Sequence, residues 1–136
     1  MSELNANKEC ILDYFGKCVI EEVYDRALYG AKRTLELTTK NPIVLEKYSI
    51  FSELTQEQKK KLYELITETT VDIIYRFLEM IEEHDEEFKI IIENSSGKYS
   101  LTDISEKMGS EIADVDYEDG WIRRFSSYWW CFNCKK

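Results

Sequence analysis

Residues 54–84 read LTQEQKKKLYELITETTVDIIYRFLEMIEEH. Thr55 followed three residues later by Gln58 forms a capping box: each side chain can hydrogen-bond the other residue's backbone amide, and Leu54 can staple onto the first turn. Leu62, Leu65, Ile66, Thr69, Ile73, Phe77, Met80 and Ile81 then recur at steps of three and four, which places them on one face of an α-helix. The stretch predicts a helix from Gln56 to Glu83 with that face turned inward.

Working outward toward the N-terminus, residues 8–39 carry a second helical pattern. Ile11, Phe15, Val19, Val23, Ala27, Ala31 and Leu35 recur every four residues, with Leu12, Ile20, Tyr24 and Leu28 widening the stripe. This predicts one long helix or two in series. Gly16 and Gly30 are its weak points, each costing about 1 kcal/mol relative to alanine. Pro42 ends the segment by forcing Asn41 out of helical geometry. The following IVLEKYSIFSEL, residues 43–54, is expected to be a short buried helical turn or connector.

Beyond residue 84 the pattern changes. Phe88–Glu93 is an apolar run rich in isoleucine, NSSG (residues 94–97) has turn chemistry, and KYSL can pair back, so a β-hairpin is predicted. Two strands alone are marginal, and the hairpin must lie on the helices. TDISEKMG, residues 102–109, predicts one helical turn, and the remainder an ordered but irregular tail. The expected class is α+β, predominantly helical: two long antiparallel helices, a C-terminal β-hairpin and that tail, in one domain spanning 1–136.

Composition limits what such a domain does. Of its 136 residues 43% are apolar, enough for a core. No apolar run approaches a membrane span and no basic-then-apolar leader opens the chain, so a cytoplasmic protein without membrane contact is expected, its four cysteines reduced. The net charge of −9 is unevenly placed. Six acids lie in Glu79–Glu87 and five in Glu111–Asp119, both runs free of Lys and Arg; removing these 11 from 27 acids leaves 16 against 18 bases, or +2. A chain with two such runs repels phosphate backbones, so nucleic acid is excluded as a partner and a basic protein is the natural complement.

Catalytic and metal chemistries find little to work with. DVDYEDG, residues 114–120, resembles a calcium loop in Asp114, Asp116 and Glu118, but the sixth position is Asp119 instead of glycine and the twelfth is Phe125 instead of glutamate. Cys131 and Cys134 have the spacing of a zinc knuckle, yet Cys10 and Cys18 on one helix would stand about 12 Å apart, too far to complete one tetrahedral site. His84 is the single histidine, and the residue three before it is Ile81, which removes a Glu-x-x-His di-iron motif. The glycines are scattered, so no phosphate loop forms. No catalytic residue and no cofactor are expected.

Two features break local rules. The run Glu79–Glu87 gathers negative charge where a helix C-terminus already carries partial negative charge, an arrangement that costs a few tenths to about 1 kcal/mol per acid. YEDGWIRRFSSYWW, residues 117–130, crowds rings beside acids, a composition shared by core anchors and protein-binding hot spots. Within it, YEDGWIRRFSSY resembles a closing motif of small uncharacterised acidic bacterial proteins with a helical first half and a short hairpin, through Asp119, Gly120, Trp121, Arg124, Phe125 and Ser126; WWCFNCKK departs from that motif. Acidic bacterial proteins of this size are similar to immunity proteins, which bind and neutralise a toxin domain. The expectation is a non-catalytic protein-binding domain, possible partners including a basic toxin or nuclease. Its binding residues would be Glu82, Glu83, Glu86, Asp114, Asp116, Glu118 and Asp119, with Trp121 or a nearby ring as anchor. The alternatives are a structural or adaptor domain, or a small zinc module using Cys131 and Cys134.

Overall fold

The computed structural model describes residues 3–105, 107–112 and 119–127, with side chains from Asn7 onward. The first helical rod comprises α1 (Glu3–Cys18), a π-helical segment (Val19–Tyr24) and α2 (Asp25–Leu35). After α3 (Pro42–Lys47) and a 3-10 turn (Ser49–Glu53) comes the long α4 (Gln56–Glu83). Strands β1 (Ile91–Asn94) and β2 (Gly97–Ser100) follow, then three short helices: α5 (Leu101–Ile104), α6 (Met108–Ile112) and α7 (Trp121–Phe125). The protein is α+β and predominantly helical.

The start of α4 is the capping box foreseen: Gln58 N–H donates to Thr55 Oγ1 at 3.1 Å, and Thr55 N–H to Gln58 Oε1 at 2.9 Å. Asn41 caps α3 in extended geometry, accepting from Ile43 N–H at 3.0 Å with Pro42 in the first turn. This stretch is a connector, one of the two forms expected, and not a buried turn: the α3 and 3-10 segments fully bury none of their residues, Ile43 and Ile50 lie exposed, and Phe51 rests partly against the core.

The π segment explains how the first rod packs. Asp25 N–H bonds Ile20 O, five residues back, which adds one residue to that turn. The buried positions accordingly run Ile11, partly Phe15, then Ile20, Tyr24, Leu28 and Leu35. The step of five from Phe15 to Ile20 moves the inward stripe off the four-residue series, leaving Val23 exposed.

In α4 the core takes Tyr63, Ile74, Leu78 and Ile81, with Ile66 and Val71 alongside. Of the face expected to point inward, Ile81 is buried and Leu62 and Ile66 are partly buried, while Leu65, Thr69, Ile73, Phe77 and Met80 are exposed. Helix α4 packs on α2 and α6, α1 on α5 and α7, and α7 also touches the π segment and α6. The core therefore lies between the two long helical stretches and the short C-terminal helices, and each fully buried aliphatic side chain contributes about 1.5–3 kcal/mol.

The hairpin is antiparallel, pairing Ile91 with Ser100 and Asn94 with Gly97. Asn94 Oδ1 accepts from Ser96 N–H at 2.9 Å, and Gly97 takes a φ of 146°, which favours glycine. Ile90, Ile92 and Tyr99 rest against the core, so the helices support the two strands.

Candidate functional site

The acidic run at the end of α4 divides by direction. Three of its acids hold the chain together. Glu79 hydrogen-bonds the Tyr75 hydroxyl and raises its pKa. Glu82 Oε2 accepts from the backbone N–H of Met108, the first residue of α6, at 2.8 Å. Asp85 Oδ1 accepts from the Thr102 hydroxyl at 2.5 Å and pairs with Lys89 Nζ at 3.3 Å. The Thr102 hydrogen bond, then Lys89, hold the Asp85 carboxyl below the usual carboxylate range. Part of the charge that opposes the α4 dipole is thus offset by donors from the C-terminal half.

The other acids face solvent. His84 Nδ1 lies 3.2 Å from Glu87 Oε1, and its ring stacks on Phe88 with centroids 5.3 Å apart. Glu83 is exposed, as are Glu86 and Phe88, and neither Glu83 nor Glu86 makes a hydrogen bond or ion pair among the described residues. This end of the molecule presents carboxylates around an exposed aromatic ring.

The second acidic run is placed only at its edges: Asp114, Asp116 and Glu118 lie outside the described residues, while Asp119 is exposed. Trp121 is 0% exposed and belongs to the core, so it offers a partner no surface; this corrects its expected role as anchor. Its indole lies on Gly16 of α1, where an added Cβ would fall 2.4 Å from Cε2. Phe15 meets the same ring edge-on, centroids 5.9 Å apart at 73°.

The rest of the closing motif docks α7 on the first rod. Arg124 Nη2 pairs with Asp13 Oδ1 at 2.7 Å. The buried Asp25 accepts from Ser126 Oγ at 2.6 Å and from Ser127 N–H at 2.9 Å. Position 25 follows the buried Tyr24, and the wide π turn ends there. Asp13 and Asp25, and the packing role of Gly16, are the structural counterparts of the motif that the sequence pattern did not reveal. The available signals were a glycine interrupting a helical stripe and an acid directly beside an apolar position.

Asp25 also lines a shallow groove of about 370 Å³ with Glu21, Arg26, Tyr29 and Ser127. Burial first, then Tyr63 and Asp25, push the Tyr24 hydroxyl well above the ordinary tyrosine pKa. Tyr24 Oη and Trp121 Nε1 are buried without hydrogen-bond partners among the described residues.

No group of three His, Cys, Asp or Glu side chains among the described residues is arranged to hold a metal, and Cys131 and Cys134 lie outside them. No described helix is long and apolar enough to cross a membrane. No family model, curated protein or solved structure matches the chain.

Proposed function

We propose that this chain is a non-catalytic binding domain that presents carboxylates to a basic protein, its particular form being an immunity-type inhibitor of a basic toxin or nuclease. The observation that carries the reading is the outward side of the α4 terminus. Glu83 and Glu86 stand exposed and without a described partner, at a helix end where negative charge is unfavourable, next to the exposed Phe88. A charge set that disfavours its own helix, in a chain of net charge −9, is accounted for by attraction to something positive. The carboxylates steer the encounter and Phe88 supplies apolar contact once the surfaces meet.

The test is kinetic. Association with a lysine-rich protein, the product of the adjacent reading frame where that is toxin-like, is followed at low and at physiological ionic strength, where screening acts over about 8 Å. Steering predicts association that slows steeply with salt. It also predicts that Glu86→Lys lowers the association rate several-fold at low salt with little change in dissociation. Association indifferent to both salt and Glu86→Lys refutes the reading.

A further inference from the structure

The tip of the β-hairpin carries an arrangement of polar groups that neither the core nor the acidic surface uses. Asn94, Ser95 and Ser96 are all exposed there. Asn94 Oδ1 accepts two hydrogen bonds, from Ser96 N–H at 2.9 Å and from Ser96 Oγ at 2.7 Å. The backbone donor fixes which end of the amide is the oxygen, because an NH2 group does not accept. The Ser96 hydroxyl proton is thus committed to Asn94, and Tyr99 Oη, 2.9 Å from Ser96 Oγ, donates in its turn. Tyr99, whose ring rests against the core, and Ser96 form a relay of hydroxyl donors that ends on one carbonyl oxygen.

Two donors at such distances around one carbonyl oxygen stabilise the negative charge that develops when a nucleophile adds to its carbon. The nucleophile is one residue away. Ser95 N–H has no hydrogen bond among the described residues. Its nitrogen is tethered by the chain itself to Asn94 Cγ, so attack is intramolecular and closes a succinimide ring.

We propose that Asn94 is a site of spontaneous amide loss, accelerated by the Ser96 hydroxyl from within the hairpin turn. In the first step the bond from Ser95 N to Asn94 Cγ forms and the bond from Cγ to Nδ2 breaks. The Ser95 proton leaves with the amide group as ammonia. Water then adds to one of the two imide carbonyls and breaks its bond to nitrogen, which leaves aspartate or isoaspartate at position 94. Nothing is oxidised or reduced, and water is the sole co-reactant.

Other asparagines show what singles this one out. Asn41 Oδ1 makes the same contact with the N–H two residues on, that of Ile43 at 3.0 Å, but the intervening Pro42 has no proton to lose. Asn7 lies within α1, where the next N–H is held in the helical ladder. At position 94 the product changes the tip either way. Aspartate adds one negative charge to a chain at −9 and keeps both donors, whereas isoaspartate lengthens the backbone beside the Asn94–Gly97 pair and displaces it.

The inference is independent of the proposed function, since no partner and no residue of the α4 terminus takes part. Its test is peptide mass spectrometry on the purified chain held at neutral pH, with isoaspartyl methyltransferase labelling to read isoaspartate and far-UV circular dichroism to verify folding. Conversion is expected at Asn94 ahead of the other asparagines, and at least several-fold faster in the folded chain than in the same chain unfolded in urea. Ser95→Pro, which suits the first central position of a turn, should abolish it. Ser96→Ala should slow it several-fold in the folded chain and leave the rate in urea nearly unchanged, while Ser96→Thr, which keeps the hydroxyl, should convert close to the parent rate. An Asn94 that keeps its amide overturns the proposal, as does one that loses it no faster folded than unfolded. A folded Ser96→Ala chain that converts as fast as the parent overturns the part assigned to the hydroxyl.

Discussion

Gly16→Ala and Gly30→Ala are the same change in the same helical rod, and they should have opposite effects. On an open helix surface either replacement would gain about 1 kcal/mol, because glycine is the more flexible in the unfolded chain. At Gly30 nothing lies within 4 Å of an added Cβ, so that gain should appear in full. At Gly16 the new Cβ would meet three atoms of the Trp121 indole at 2.4, 2.5 and 2.7 Å. Ordinary carbon contacts are about 3.5–4.0 Å, so the ring would have to retreat by roughly 1 Å. Trp121 is fully buried and held edge-on by Phe15, leaving that retreat nowhere easy to go. Overpacking of this kind costs about 1–3 kcal/mol and occasionally more, against a ceiling of about 3–5 kcal/mol for losing a buried tryptophan outright. Gly16→Ala should therefore destabilise by about 1–2 kcal/mol net, and the two variants should differ by about 2–3 kcal/mol. Urea denaturation followed by tryptophan fluorescence measures this as midpoints shifted in opposite directions at unchanged slope. Adding Trp121→Leu should make the Gly16→Ala change neutral or favourable, a coupling of at least about 1 kcal/mol. If Gly16→Ala stabilises as much as Gly30→Ala, the packing of α7 against α1 described above is wrong.

Three further outcomes follow from the polar contacts. Asp25→Ala removes the acceptor of both Ser126 Oγ and Ser127 N–H; it should cost about 1–3 kcal/mol in denaturation and speed amide exchange across residues 121–127 before the rest of the chain. Thr102→Val removes the hydroxyl that chiefly lowers the Asp85 pKa. A lowered folded-state pKa stabilises above the unfolded value of about 3.9 and is lost as pH falls through the folded one. Carboxylate NMR titration should accordingly find Asp85 below the ordinary aspartate range in the parent and nearer to it in Thr102→Val, with the variant's stability less dependent on pH in the acid range. Tyr24→Phe deletes a buried hydroxyl without a described partner; thermal unfolding should show no loss, or a gain of up to about 1 kcal/mol, and a clear loss would mean that the hydroxyl has a partner.

The elements with local causes were legible in the sequence. The Thr55–Gln58 capping box, the extended Asn41 before Pro42 and the Asn94–Gly97 turn depend on residues a few positions apart, and each forms as its chemistry dictates. The choice of face was not legible. In α4, Leu65, Ile73, Phe77 and Met80 make as regular a row as Tyr63, Ile74, Leu78 and Ile81; periodicity cannot say which of two apolar faces meets the core. In the first rod the inserted residue of the π turn breaks the four-residue series that the pattern assumes, moving Ile20, Tyr24 and Leu28 inward in place of Val23 and Ala27. The acidic run posed a third ambiguity, since a carboxylate that caps α6, such as Glu82, looks the same in sequence as the exposed Glu83.

The packing of α7 also changes what the closing motif can mean. Gly120 and Trp121 are buried, Arg124 is paired with Asp13, and Ser126 is bonded to Asp25. Residues with these duties would be kept by any chain that docks a short helix on a π-interrupted rod, whatever that chain binds. In this chain these residues therefore serve to close the core, and they offer no support for a particular partner. Under the proposed function, specificity would lie with exposed side chains outside this docking, around Glu83, Glu86 and Phe88 and along the exposed face of α4. Two chains could share the motif in full and differ completely at those positions. A swap of the exposed residues alone, leaving Asp13, Gly16, Asp25 and residues 120–126 intact, should accordingly move binding without moving the unfolding midpoint by more than about 0.5 kcal/mol per surface change.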